Sequence, residues 1–354
     1  MRKRWLWVTL CFVAVMLGIV GGHWQASLEQ PPVQEVSFRR SPPADLSPAD
    51  LPPADLPPAD LPPVPSRKAF LPGSLTIDAD RLWADLATLS VLRFSEGDRQ
   101  RTRDYLAETL QAAGWVVQYQ PFDSGINLYA ERPGTDPDAG AILVGAHYDT
   151  VERSPGADDN ATAVAATLEV ARVLGNLPTP RTLKVVFFDQ EEAGLVGSFA
   201  WVDQPGFTDH LHGAVILEML GYACHTDGCQ SYPPILPFTP STTRGDFIAV
   251  IGDQGHPELI DSFVQVAQSD RPPVLTLPVP LLGPLTPDLL RSDHAPFWSK
   301  GIGAVMVTDT ANFRNPHYHQ PTDLPDTLDR PFYTGVVQLV VEAIAQLLTT
   351  TNLG

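Results

Sequence analysis

The sequence predicts an α/β fold: a three-layer α/β/α sandwich around a mixed, largely parallel sheet. Three observations lead there. Short, nearly unbroken apolar runs such as AILVGA (141–146) read as strands covered on both faces. Stretches with helical spacing alternate with them along the chain. Polar and acidic residues gather just after the apolar runs, where ligands collect in sheets of this kind.

The elements follow in order. The chain opens MRKRWLWVTLCFVAVMLGIVGG, three positive charges and then about eighteen apolar residues. Residues 1–24 therefore form a signal anchor or signal peptide. The length of the run and the poor cleavage site in GGHWQAS argue for an uncleaved anchor, with positive residues inside and the remainder outside the cytoplasm. Residues 25–66 are a Pro-rich linker carrying a PPADL repeat, extended or disordered because Pro blocks both helix and sheet pairing. From 67 to 354 the composition is that of one globular domain.

Within it, GDRQRTRDYLAETLQAAGW (97–115) spaces Tyr105, Leu106, Leu110 and Ala113 as a helix and stops at Gly114. WVVQYQPF and INLYAER read as strands, then AILVGA. DNATAVAATLEVARVLG (159–175) is a helix, TLKVVFFD (182–189) a buried strand, and VGSFAWVD opens a helix. GAVILEMLG (213–221) and DFIAVIG (246–252) are strands, and PELIDSFVQVAQ (257–268) is a helix. GAVMVTDT (303–310) is the last strand, and 330–350 is a long closing helix.

Composition narrows the function. A net charge of −18, with 41 acids against 23 bases, argues against a nucleic-acid partner, which needs clustered Lys and Arg. Cys11 lies in the apolar run. Cys224 and Cys229 are close enough to pair in an exported domain, or they remain free thiols.

The residues that follow the strands carry the chemistry. His147 and Asp149 come after the first buried strand, and Asp158 opens the next helix. Glu191 and Glu192 come after VVFFD, Glu218 ends VIL, and His317 and His319 follow the last strand. So many carboxylates facing one place would repel one another and resist desolvation. Two histidines with three carboxylates suit zinc. Two Zn²⁺ ions would balance Asp158, Glu192, Glu218 and a bridging hydroxide.

Together the motifs GAHYDTV, GADDNATA, FFDQEEAGLVGS, LEMLGY, SDHAPFW and YHQPTD resemble the di-zinc aminopeptidase and glutamate carboxypeptidase family, metallopeptidase family 28, which includes the glutaminyl cyclases. The resemblance runs from 145 to 323 and implies a zinc-exopeptidase-like fold and two zinc ions per subunit. It implies His147 as a ligand and Asp149 as the acid that orients it. Asp158 would bridge both ions and be followed by Asp159 through a non-proline cis peptide. Glu191 would be the general base and Glu192 a ligand of the second ion. Glu218 would stand where the family often has Asp. His319 would be the last ligand, with Asp323 behind it and His317 as its rival. Tyr222 would help hold the oxyanion, and Asp293 and His294 would shape the wall. The expected activity is removal of N-terminal residues from peptide substrates outside the cytoplasm. Carboxypeptidase or dipeptidase action on the same core, glutaminyl cyclisation and a silent binding domain are the alternatives.

Overall fold

A computed structural model describes residues 75–234, 242–280 and 287–350 of the chain. The expected N-terminal anchor and the PPADL linker lie outside the described residues. The described part belongs to one compact unit that begins at Ser66.

Helix α1 (Ala79–Leu89) opens it, capped by the Asp78 carboxylate on the Arg81 N–H. No helix is expected there from the sequence reading, although Leu82, Leu86 and Leu89 fall on one face and are buried. Helix α2 (Glu96–Ala112) starts in a capping box between Ser95 and Asp98 and ends before Gly114, whose φ of +80° only glycine adopts freely. Strands β1 (Val117–Phe122) and β2 (Gly125–Arg132) form an antiparallel hairpin. Strand β3 (Ala141–His147) is buried at every position, which explains its unbroken apolar run.

The helix expected over 159–175 is shorter than the sequence suggests. Regular helix α3 spans Ala163–Leu174, and the preceding turn departs from helical angles at Asp159 and Asn160. Polar side chains hold that turn instead of a helical ladder. Both Asp323 oxygens accept its N–H groups, at 2.9 Å from Asp158 and 3.1 Å from Asp159.

Then follow β4 (Thr182–Phe188), α4 (Val196–Asp203), β5 (Leu211–Glu218), β6 (Ile248–Asp253) and α5 (Pro257–Val266). Strand β7 (Val274–Val279) is not anticipated by the sequence reading. Its Pro278 is accommodated because β7 is an edge strand. Short helix α6 (His294–Ser299), β8 (Ala304–Thr308) and α7 (Arg330–Thr349) close the chain.

The eight strands run β1-β2-β4-β3-β5-β8-β6-β7. The centre, β4-β3-β5-β8, is parallel, as is the β6–β7 pair. Strands β2, β6 and β7 run opposite to that centre, so the sheet is mixed. Helices cover both faces. Helices α1, α2, α3, α5 and α7 pack on one apolar cluster, and α4 and α6 pack on a second that includes Leu143, Phe188 and Trp201. Helix α7 is long and apolar enough to cross a membrane, but most of it is buried and it serves as a core helix.

From β3 the chain moves outward to β4, then crosses back over β3 to reach β5. This reversal opens a crevice beyond the carboxyl ends of these three strands, the usual ligand position in such sheets.

Candidate metal centre

The crevice collects residues from the ends of β3, β4 and β5. His147 ends β3, Glu191 and Glu192 follow β4, and Glu218 ends β5. Asp159 comes from the turn before α3, and His319 from the loop between β8 and α7.

They fall into two groups. Donor atoms of His147, Glu191 and Glu218 lie within 4.8 Å of one another, and so do those of Asp159, Glu192 and His319. Asp159 joins the groups. One oxygen is 3.3 Å from His147 Nε2 and the other 3.1 Å from His319 Nε2. Glu218 stands 3.5 Å from His147 Nε2, and Glu192 stands 3.1 Å from His319 Nε2.

This corrects one assignment. Asp158 does not bridge. Its side chain turns away from the crevice, accepting from the Gly221 N–H at 2.9 Å and the Asn315 amide at 2.7 Å. The cis peptide also lies one residue later, between Asp159 and Asn160. Two aspartates in a row are equivalent as letters; the turn decides which faces the histidines. Asp323 is likewise not behind His319; it holds the 158–159 backbone.

Among the other expected residues, Asp149 reaches His147 Nδ1 at 3.4 Å and also accepts the N–H groups of Glu191 at 3.0 Å and Glu192 at 3.2 Å. It therefore links β3 to the Glu191–Glu192 turn. His317 faces Thr322 at 2.9 Å, leaving His319 as the histidine of the centre. Tyr222 is not among the residues lining the cavity. Tyr318 is, stacked on His319 at 3.8 Å. Asp293 accepts from Ser198 Oγ at 2.5 Å, and His294 sits edge-on to Trp298 and bonds the Leu289 carbonyl at 2.7 Å, both within the wall. Asn160, in a glycosylation-like Asn-Ala-Thr, is fully buried and bonds the Leu217 carbonyl and the Met219 N–H.

Sequence reasoning missed Arg93, which no motif marks. Its buried guanidinium donates to the carbonyls of Tyr148, Pro155 and Gly156 at 2.7–2.9 Å, and also to Val91 and Leu89. It thus fastens the 155–156 segment that leads into Asp159. Gly156, at φ +63°, allows this approach. A Cβ there would come within 2.8 Å of the Arg93 guanidinium and 2.2 Å of the Asp159 carbonyl oxygen.

The electrostatics describe a site built for cations. Burial, with Glu218 and Asp293 nearby, pushes Glu191 well above the usual carboxylate range. Burial and Asp159 push Glu192 to about 7. Burial opposes the charge on both histidines, but facing carboxylates win and raise His319 to about 10 and His147 well above its ordinary value. Both His147 nitrogens, His319 Nε2 and one Glu192 oxygen are buried without hydrogen-bond partners. Such orphaned groups are costly unless something binds them.

Zinc fits them. Imidazole nitrogen and carboxylate oxygen are its ligands, and bonds of about 2.0–2.1 Å set tetrahedral donors roughly 3.3 Å apart. The four spacings about the two histidines, 3.1–3.5 Å, match.

Beside the donors lies a cavity of about 350 Å³. Its floor is apolar: Phe247, Ala249 and Ile251 at and along β6, Leu277 of β7, Met306 of β8, and Leu289. Cys224 and Cys229 form a disulfide at its rim, and Gln230, Ser231 and Tyr232 immediately after it line the cavity.

Known proteins resemble this chain in sequence and in fold. The chain is 32% identical to the uncharacterized protein YfbL of Escherichia coli, over 70% of this chain and 79% of that one. It is 30% identical to the probable lipoprotein aminopeptidase LpqL of Mycobacterium tuberculosis, over 55% of this chain but only 40% of that longer protein. The fold is similar to that of BSAP, a zinc aminopeptidase from Bacillus subtilis, with a TM-score of 0.62 at 16% identity, covering 79% of this chain and 97% of that one. The profile of peptidase family M28 matches residues 127–344, and the chain belongs to that family.

Proposed function

We propose that this chain is a zinc-dependent aminopeptidase that uses two metal ions and removes N-terminal residues from peptides. One observation carries the reading: Asp159 sits between two histidines, each with its own glutamate, His147 with Glu218 and His319 with Glu192. One ion would be held by His147, Glu218 and Asp159, the other by His319, Glu192 and Asp159. Family membership and the aminopeptidase activity for which LpqL and BSAP are named support the aminopeptidase over the carboxypeptidase and cyclase readings.

Zinc bound there supplies Lewis acidity, making a water easier to deprotonate and a scissile carbonyl easier to attack. Glu191 does the proton work. It reaches the same space as His147 and Glu218, and burial favours its holding a proton. It takes a proton from the attacking water and returns it to the leaving amine. Asp149, bonded to the Glu191 and Glu192 N–H groups, fixes the turn that aims both side chains. Ser292 Oγ donates to Glu218 at 2.7 Å and orients that longer arm.

The N-terminal apolar run and the rim disulfide support a location outside the cytoplasm, anchored at the membrane.

The test is direct. Zinc-loaded protein is incubated with peptides bearing free or blocked ends, and the products are read by mass spectrometry. First residues should leave only from free amino ends, and a chelator should stop the reaction. Glu191→Gln should keep its zinc and lose at least about 10²-fold in kcat. Cleavage from the carboxyl end, or full activity in Glu191→Gln, would refute the assignment.

A further inference from the structure

Apart from His319, one basic side chain stands among the described residues lining the cavity. Arg291 is exposed at the mouth, while Asp159, Glu191, Glu192, Glu218 and Asp288 supply the acids. No carboxylate lies within ion-pair distance of it among the described residues, Asp288 included. Two bonds hold its guanidinium across the opening: one to Asn312 Oδ1 at 3.0 Å and one to the Tyr318 hydroxyl at 3.1 Å. They use two of its five N–H groups. The position is tied to the centre from both sides. The next residue, Ser292, bonds Glu218, and Tyr318 stacks on His319.

A free peptide brings two charges to this cleft. Its amine is welcome among the carboxylates. Its carboxylate is not, and a desolvated carboxylate needs a partner. A guanidinium already oriented by two neutral acceptors provides one, with a fork that matches carboxylate geometry. The reach is short. From the His319 ring the path runs 3.8 Å to the centre of the Tyr318 ring and 5.9 Å on to the guanidinium. That is at most about 10 Å, or roughly three extended residues. The buried floor is apolar and suits an apolar first side chain, so the carboxylate at the mouth belongs to the far end of the peptide.

Building on the aminopeptidase reading, we propose that Arg291 binds the C-terminal carboxylate of short free peptides. The preferred substrates are then di- and tripeptides with a bulky apolar N-terminal residue.

The experiment uses the full chain loaded with zinc. Leu-Gly, Leu-Gly-Gly and Leu-Gly-Gly-Gly-Gly are compared as free acids and as amides. Expected is a preference for the acid of about tenfold in kcat/KM for the di- or tripeptide, carried by KM, and none for the pentapeptide. In Arg291→Gln the acid-to-amide ratio should fall to near one, whatever happens to the absolute rate. Calorimetric binding of Leu-Gly-Gly and its amide to Glu191→Gln protein, with and without the Arg291→Gln change, gives the same comparison without turnover. Equal handling of acid and amide by the unaltered chain, or a preference that survives Arg291→Gln, would overturn the proposal. So would a dependence on Arg291 seen with Glu-p-nitroanilide instead, because the carboxylate would then be that of the first side chain. Failure of the aminopeptidase reading looks different: no first residue is released from any peptide or from Leu-p-nitroanilide, while the binding comparison still decides the role of Arg291.

Discussion

Asp158 and Asp159 are neighbours with the same side chain, and the structure gives them opposite tasks. Changing each to Asn separates them. Asp159 touches both histidines, at 3.3 and 3.1 Å, so Asp159→Asn removes one anionic donor from each proposed ion. Losing a group that merely supports a ligand typically costs 10–100-fold in metal affinity, and losing a ligand should cost at least about a hundredfold, or about 2.7 kcal/mol. Asp158 is a different case. Burial and the neighbouring Asp309 push its carboxyl well above the usual range, and Asp309 is itself raised to about 6. An Asn amide can keep only one of its two accepted bonds, and it touches neither histidine, so Asp158→Asn should cost about 1–3 kcal/mol of fold stability.

Melting with and without zinc distinguishes them. At zinc about 1,000-fold above its Kd, each bound ion stabilises the fold by about 4 kcal/mol. For a domain of this size, two ions together give a rise in Tm of about 16–32 °C. The unaltered protein and Asp158→Asn should both show that rise, the latter from a lower start. Asp159→Asn should lose half of it or more and retain less zinc by elemental analysis. Retention of zinc and of the full rise by Asp159→Asn, with loss of both by Asp158→Asn, would refute the reassigned bridge.

Three further outcomes are expected. Arg93→Leu leaves five carbonyls without their donor and should lower stability by at least about 3 kcal/mol in urea unfolding, while weakening zinc roughly 10–100-fold in a chelator competition. Cys224 and Cys229 are five residues apart, so Cys229→Ser should cost about 2 kcal/mol and raise KM, because the cavity-lining residues 230–232 follow directly. Burial pushes His294 down to about 4, against about 6.5 in an unfolded chain. Between those values only the unfolded chain takes up the proton. Stability should therefore fall by up to about 3 kcal/mol as pH drops from 6.5 to 4. In zinc-free protein, His294→Gln should flatten that part of the urea-stability profile relative to the unaltered chain.

How much of this was legible beforehand depends on how local the cause is. Strand β3 could be read because burial on both faces leaves an unbroken apolar run, and α2 because its apolar spacing and glycine stop lie within the segment. Strand β7 could not. Val274–Val279 carries a proline, is only partly buried, and becomes a strand by pairing with β6. The regular start of α3 was misjudged for a related reason: Asp323, more than 160 residues away, takes the N–H groups of the turn before it.

The centre divides the same way. The sequence by itself determined which residue types arrive at the carboxyl ends of the strands: His147, Glu191, Glu192, Glu218 and His319 are the letters that follow apolar runs, and strand geometry delivers them to one edge. Only the tertiary structure decided that Asp159 rather than Asp158 faces the histidines. It also decided that a buried arginine from residue 93 secures the loop and that Arg291 stands at the mouth. Each of these is set by contacts between segments far apart in the chain, where a one-residue shift turns a side chain from the crevice to the core. Spacing along the sequence carries no record of such a choice.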